Sequence, residues 1–460
     1  MTTTHVPTPN TVLTAAPDVA LGYLDRMRAV RQFHTGMEEI RDASGPVVMV
    51  RLGPSWLVPV FAVVTSPQGA HDVLAASDGA FDKEMVVHVQ NRTLGDNLFN
   101  LAQRRWVARR RTLQPVFTKK QVGRYAGHMA QAAEAAVSRM TAAGTTDLDA
   151  AMRQLTLQVL GRSVLGTDLG DRAEEVGPQI VRLLKWNTER ALRPVRAPLW
   201  LPTPARRRMR KSLAALHAVI DEAIDGAGRS QDAGLIRLLQ DAVDPVSGKA
   251  LSRSEIREEL VVFLIAGHDT TATTLTYALW ALGRDQRMQD RVAEEVSALG
   301  PRPLVGEDVA RLPYTVQVLH EALRICPPAP AIGRLAMRDV VVDGFRIPAG
   351  TNVAVGIYAL HRDPDLWDDP ERFDPDRFAA PQMQVLDRWQ YLPFGAGPRS
   401  CIGDHFAMLE ATLGLATIIR ATRVESVDDT FPLALPFTMT ADGPIRARVA
   451  ARTGQGSSTL

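Results

Sequence analysis

Cysteine is almost absent from this chain: there are two, Cys326 and Cys401, in 460 residues. The two could pair, but a secreted protein of this length with a single bridge would be unusual, so a reduced, cytoplasmic setting is expected. Net charge is equally scant. The 53 basic and 51 acidic residues leave +2, no field that would gather nucleic acid or another polyanion. Lysine occurs only at positions 83, 119, 120, 185, 211 and 249, so nearly all positive charge is arginine, a bias of composition rather than of function. Long apolar runs are missing too. No stretch reaches the roughly 18 to 20 residues that cross a bilayer, and the N-terminal MTTTHVPTPNTVLTAAPD has no apolar core behind a basic start. A protein without membrane anchor or signal peptide is the expectation.

What remains is ordinary globular material, 45% apolar and 23% charged. Residues 1–19 lack periodicity and read as a mobile segment, as does the polar tail 453–460. Between positions 47 and 64 the runs VVMVRL, WLV and FAVV, broken by Gly53-Pro54-Ser55 and Pro59, predict short strands. Ser66-Pro67 starts a short helix, and 81–98 is a weakly patterned connection. Helical spacing fills 126–144 and 148–166, and two further helical runs between 176 and 225 flank Pro194, Pro198, Pro202 and Pro204. That proline-broken loop, with Leu199, Trp200 and Leu201, reads equally as a lid or as a packed connection. Residues 252–283 predict the longest helix, opened by a Ser252/Glu255 capping box and stopped at Gly283. At ~1.5 Å per residue it spans about 45 Å. Further on, Asp343-Gly344 signals a hairpin.

The stretch 394–403, FGAGPRSCIG, places Cys401 in a glycine-rich loop just before an apolar helical run. A thiolate is a soft, strongly donating iron ligand that needs positive potential and N–H donors to hold down its pKa, and glycines plus a helix N-terminus supply both. The bland alternative is a buried structural cysteine. Phe394, Gly395, Gly397, Arg399, Cys401 and Gly403 also match F-G-x-G-x-R-x-C-x-G, so the chain resembles the cytochrome P-450 superfamily, in its soluble bacterial form, at its haem-binding loop.

Other segments resemble the family in the family's order. AGHDT supplies Ala266, Gly267, Asp269 and Thr270 on the long helix. Bound dioxygen needs protons, so the resemblance makes Thr270 the hydroxyl beside it, Asp269 the relaying acid, and Gly267 the space for oxygen or water. His268 reads as a neighbour rather than a ligand. Glu321 and Arg324 in EALR, with Arg372 in PERF, resemble a structural charged triad. Trp106 and Arg110 lie one helical turn apart within an arginine-rich run and resemble the pair that hydrogen-bonds a haem propionate. The remaining arginines there, with Lys119 and Lys120, read as a solvated face or as a basic patch for an acidic electron donor. Arg334, Arg399 and His361 are further propionate candidates. Val86, Val87, Phe263, Ala329, Ile332 and Phe437 are candidate pocket positions, all apolar. Cys326 reads as inert packing.

The resemblance implies a mainly α, single-domain cytochrome P-450 fold over 20–452, a helical prism with small β-sheets, holding haem b on Cys401. It implies insertion of one atom of O2 into a C–H or C=C bond of a hydrophobic small molecule. The substrate expected is a natural-product intermediate such as a terpenoid, polyketide or macrolactam, with a fatty acid as runner-up. No flavin or iron–sulfur segment follows, so electrons from NAD(P)H are expected through separate partners, a ferredoxin and its reductase, acting on a monomer. A haem-thiolate peroxygenase or a non-catalytic haem sensor would not need the Asp269-Thr270 pair, and its presence argues against both.

Overall fold

The computed structural model describes residues 14–54, 58, 60–83, 94–170, 172–192, 201–227 and 234–452. By internal contacts the chain forms two compact units, one from residues 1–85, 331–366 and 387–400, the other from 86–330, 367–386 and 401–460. Among the described residues no helix is long and apolar enough to cross a membrane.

The first unit is built on a mixed sheet. Val47–Val50 pairs antiparallel with Phe61–Val64, which runs parallel to Asn352–Gly356; Ala331–Ala336 and the edge strand Phe81–Asp82 follow, both antiparallel. Val47 to Val50 are all buried because alternate side chains serve two cores. Val47 and Met49 pack with Ala70, Val73 and Leu74 of the Pro67–Leu74 helix, while Val48 and Val50 pack with Ala29, Met37 and Ile40 of the Tyr23–Arg31 and Phe33–Ser44 helices. Ser66 caps the Pro67–Leu74 helix by accepting the Gly69 N–H, as its sequence predicts. The hairpin lies between Val340–Val342 and Phe345–Ile347, with Asp343 and Gly344 both at positive φ, 47° and 81°. Thr14–Ala15 adds to it in parallel, so pairing starts ahead of the boundary expected near Ala20.

The second unit is helical. The 32-residue helix Arg253–Arg284 packs on Leu148–Leu160 and on Asp404–Ala421, and the latter also lies against Ala126–Ala143. The Ser252/Glu255 capping box is formed. Hydroxyls make its threonine-rich middle tolerable: Thr270, Thr274 and Thr276 donate to the carbonyls of Ala266, Thr270 and Ala272 at 2.7, 3.0 and 2.7 Å. Gly283 does not stop this helix, which runs on to Arg284; a Cβ there would strike Ser426, so the glycine admits the strand Thr422–Ser426. That strand pairs with Arg446–Ala451, which pairs with Thr145–Asp147.

Candidate functional site

The middle of the Arg253–Arg284 helix is buried except along one stripe. Phe263, Gly267 and Thr270 are half-buried and Ala266 is exposed, whereas Leu264, Ile265, His268 and Asp269 are buried. Spaced three and four apart, the open positions share one helix face. Asp269 turns away from it. Its carboxylate pairs with Arg153 of the Leu148–Leu160 helix, which also binds Asp149 at 2.6 Å. Burial pushes the Asp269 carboxyl up, with Arg153 pulling it back. His268 has Nδ1 3.0 Å from the Thr156 hydroxyl, and burial with help from Arg153 drives its imidazole down to about 3. It is a neutral packing residue. Gly267 lets the neighbouring helix come close: a Cβ there would lie 2.9 Å from Leu160 Cδ2.

Cys401 is exposed and lies three residues ahead of the Asp404–Ala421 helix. The protein around it pushes the thiol up to about 11, against which the Gly403 N–H, and beyond it Arg110, draw it down. A Cβ on Gly403 would come 4.0 Å from the sulfur, so the chain folds close about it. Arg110 lies on the Gln103–Leu113 helix, where burial lowers its pKa while the charges of Cys401 and Asp404 raise it. Trp106, one turn earlier, is buried. An accessible sulfur with an N–H donor and a guanidinium near it suits a metal-bound thiolate, so these residues fit a haem iron.

Phe394, Gly395, Arg399, Arg334 and His361 belong to the first unit. The loop glycines have a steric reason there: Gly397 has φ of 70°, and a Cβ on it would collide with the Leu74 carbonyl. Gly395 has φ of 65° beside Ile332, and Phe394 is half-buried. Arg399 donates to Asp82 of the edge strand at 3.0 Å. Arg334 is buried, with Nη1 on the Gly333 carbonyl at 2.9 Å. His361 must be reassigned. It is fully buried and its Nε2 accepts the Leu392 N–H at 2.8 Å, so that nitrogen holds the chain entering the cysteine loop instead of a propionate.

A model of the cytochrome P450 family matches residues 17–444. The chain belongs to that family. The P450 is 34% identical to cyclooctatin synthase of Streptomyces melanosporofaciens over 88% of each chain. It is 33% identical to cyclooctat-9-en-7-ol 5-monooxygenase of the same organism over 84% of each. Pentalenene oxygenase of Streptomyces avermitilis is 32% identical over 89% of this chain and 91% of its own. The P450 is therefore a monooxygenase that works with haem b, O2 and electrons from NAD(P)H delivered by redox partners, on hydrophobic substrates.

In the P450 the charged triad differs from its sequence reading in one member. Glu321 and Arg324 are fully buried and paired twice, at 2.7 and 2.8 Å. Arg372 contributes its backbone carbonyl, which accepts from Arg324 at 3.2 Å. The second guanidinium at Glu321 is Arg377, 3.5 Å away, while the Asp374 N–H donates to the same oxygen at 2.8 Å. A signal was present: Pro375-Asp376-Arg377-Phe378 repeats the P-x-R-F spacing of Pro370 to Phe373. Of the pocket candidates, Val86 and Val87 lie outside the described residues, and Ile332 sits in the first unit's sheet. In the helical unit, Met439 N–H binds the Pro328 carbonyl at 2.8 Å, tying the turn that carries Phe437 to the segment of exposed Ala329. Phe437 meets Phe99 with ring centroids 6.1 Å apart, and Phe263 meets Phe117 at 5.0 Å. Phe99, Phe117 and Arg153 carry no local sequence signal; only the tertiary contact reveals them.

Proposed function

We propose that this P450 inserts one oxygen atom into a hydrophobic cyclic natural-product intermediate, a terpenoid first of all. The observation that carries the reading is the open stripe of Phe263, Ala266, Gly267 and Thr270 on an otherwise buried helix: apolar surface with a single hydroxyl. The cyclooctatin and pentalenene names of its relatives point to the same substrate class.

In this reading Cys401 holds the iron, and Gly403 and Arg110 temper its charge. Trp106 and Arg110 bind one propionate, with Arg334 and Arg399 as further cations for the propionates. Haem, when bound, supplies the activation of dioxygen; the chain supplies place and protons. Thr270 presents a proton at Oγ1, and Asp269, its carboxyl kept basic by burial, collects the next one while Arg153 fixes its position. Phe437, Ala329 and Phe263 wall the substrate. Electrons come from a ferredoxin and its reductase, and the enzyme is a cytoplasmic monomer.

A spin-state titration of the oxidised protein tests the substrate class. Cyclic terpene alcohols and olefins should displace the iron's water and shift the Soret band at micromolar concentration, ahead of macrolactams and polyketide lactones. A response confined to fatty acids would overturn the terpenoid reading.

A further inference from the structure

Three glutamates stand within two turns near the start of the Arg253–Arg284 helix, and each reaches out to a segment far from it in sequence. Glu259 has no exposed side-chain surface. Its oxygens accept the Leu98 N–H at 3.0 and 3.1 Å, and Oε1 also accepts Arg109 Nη1 at 2.6 Å. Glu258 accepts the Asp96 N–H at 3.0 Å, and Glu255 takes the other nitrogen of Arg109 at 2.6 Å. On the strap itself, buried Asn97 and Asn100 donate to the Gly95 carbonyl at 3.2 and 2.8 Å. A Cβ on Gly95 would collide with the Glu258 carboxyl, so strap and helix touch without room to spare. The strap thus has side chains where a strand or helix would have backbone partners. It leads directly to Phe99, whose ring stands against Phe437.

Such an arrangement is directional. A charge-assisted acceptor fixes an N–H more firmly than a neutral one, and Arg109 held in a two-carboxylate fork cannot follow the strap if it shifts. We propose that Glu259, assisted by Glu258, is a positioning residue for substrate selection: it fixes the Asp96 to Leu98 strap on the long helix and so sets where Phe99 stands against Phe437. This rests on the reading of Phe437 as a wall of the substrate pocket. Glu259 touches no substrate; it acts through Phe99.

The test uses the holoenzyme as wild type, E259Q, F99A and the double variant. Hydrogen exchange is followed at the Leu98 and Phe99 amides, and binding of imidazole, 4-phenylimidazole and clotrimazole is titrated at the Soret band. E259Q should speed exchange at Leu98 by about tenfold, the loss of one charge-assisted bond. It should change the affinity ratio between the large and small azoles by about threefold, and the double variant should match F99A alone, since both act at one ring. Unchanged exchange overturns the strap. Effects of E259Q and F99A that multiply, or an equal loss for every azole, overturn the route through Phe99. Faster exchange in E259Q with a wild type that shows no azole response would instead overturn the haem-site reading, and the proposal with it. Should E259Q not fold, E258Q weakens the Asp96 anchor alone by removing its charge and is read the same way with smaller amplitude.

Discussion

Thr270 and Asp269 are neighbours in sequence and divided in space, and the proposed relay divides between them in the same way. The Thr270 hydroxyl lies on the open stripe of the long helix, parked on the Ala266 carbonyl at 2.7 Å, while Asp269 is buried against Arg153. Replacing Thr270 by Ala removes a hydroxyl without moving the helix, so folding should persist while product formed per NAD(P)H falls by about tenfold or more and peroxide rises. Thr270→Ser should restore most of the coupling; unchanged coupling in the alanine variant would remove the relay. His268, between Gly267 and Asp269, makes a separate prediction. Its pKa in the fold is about 3, below the 6.5 of an exposed imidazole. The unfolded chain therefore takes up the proton first as pH drops, and the stability His268 contributes is present above 6.5 and lost on acidification. The loss is about 1.4 kcal/mol for each pH unit between those values. Urea midpoints at pH 7 and 4.5 should fall less for His268→Asn than for wild type. The raised carboxyl of Asp269 works in the opposite sense, so the difference between the two proteins isolates the histidine.

At the scale of elements, the Pro313–Ile325 helix locks the segment 372–377 through one buried carboxylate. Burial raises the Glu321 carboxyl, and Arg324, the Asp374 N–H and Arg377 oppose it. Arg324 also lies over the Trp367 ring at 5.2 Å, which holds the guanidinium in place. A buried pair stripped of one partner costs about 3 to 5 kcal/mol, so Glu321→Gln should unfold the protein or leave it marginal. The finer prediction separates the two arginines. Arg377→Ala should speed haem transfer to apomyoglobin several-fold, whereas Arg372→Ala, whose contact is made by the backbone, should leave it near wild type. The reverse order would restore Arg372 as the third side chain.

At the scale of the molecule, features written in adjacent residues were legible and features made by distant ones were not. The capping box at Ser252, the cap at Ser66, the hairpin at Asp343-Gly344 and the loop around Cys401 are each set by a few consecutive side chains, so periodicity and turn chemistry find them. The sheet that pairs Phe61–Val64 with Asn352–Gly356 joins chain nearly 300 residues apart in sequence, which no local pattern encodes. The same limit explains the residues that moved. Gly283 looks like a stop until Ser426 stands beside it, His361 looks available until Leu392 claims its nitrogen, and Arg372 looks like the triad's partner until Arg377 is seen at Glu321. The central claim is that Cys401 is the sulfur that holds haem iron as a thiolate. Its direct test is the absorption spectrum of the dithionite-reduced, carbon-monoxide-bound protein: wild type should give the strongly red-shifted Soret band of a thiolate-ligated haem and Cys401→Ser should lose it. A wild type without that band, or a serine variant that keeps it, would contradict the account.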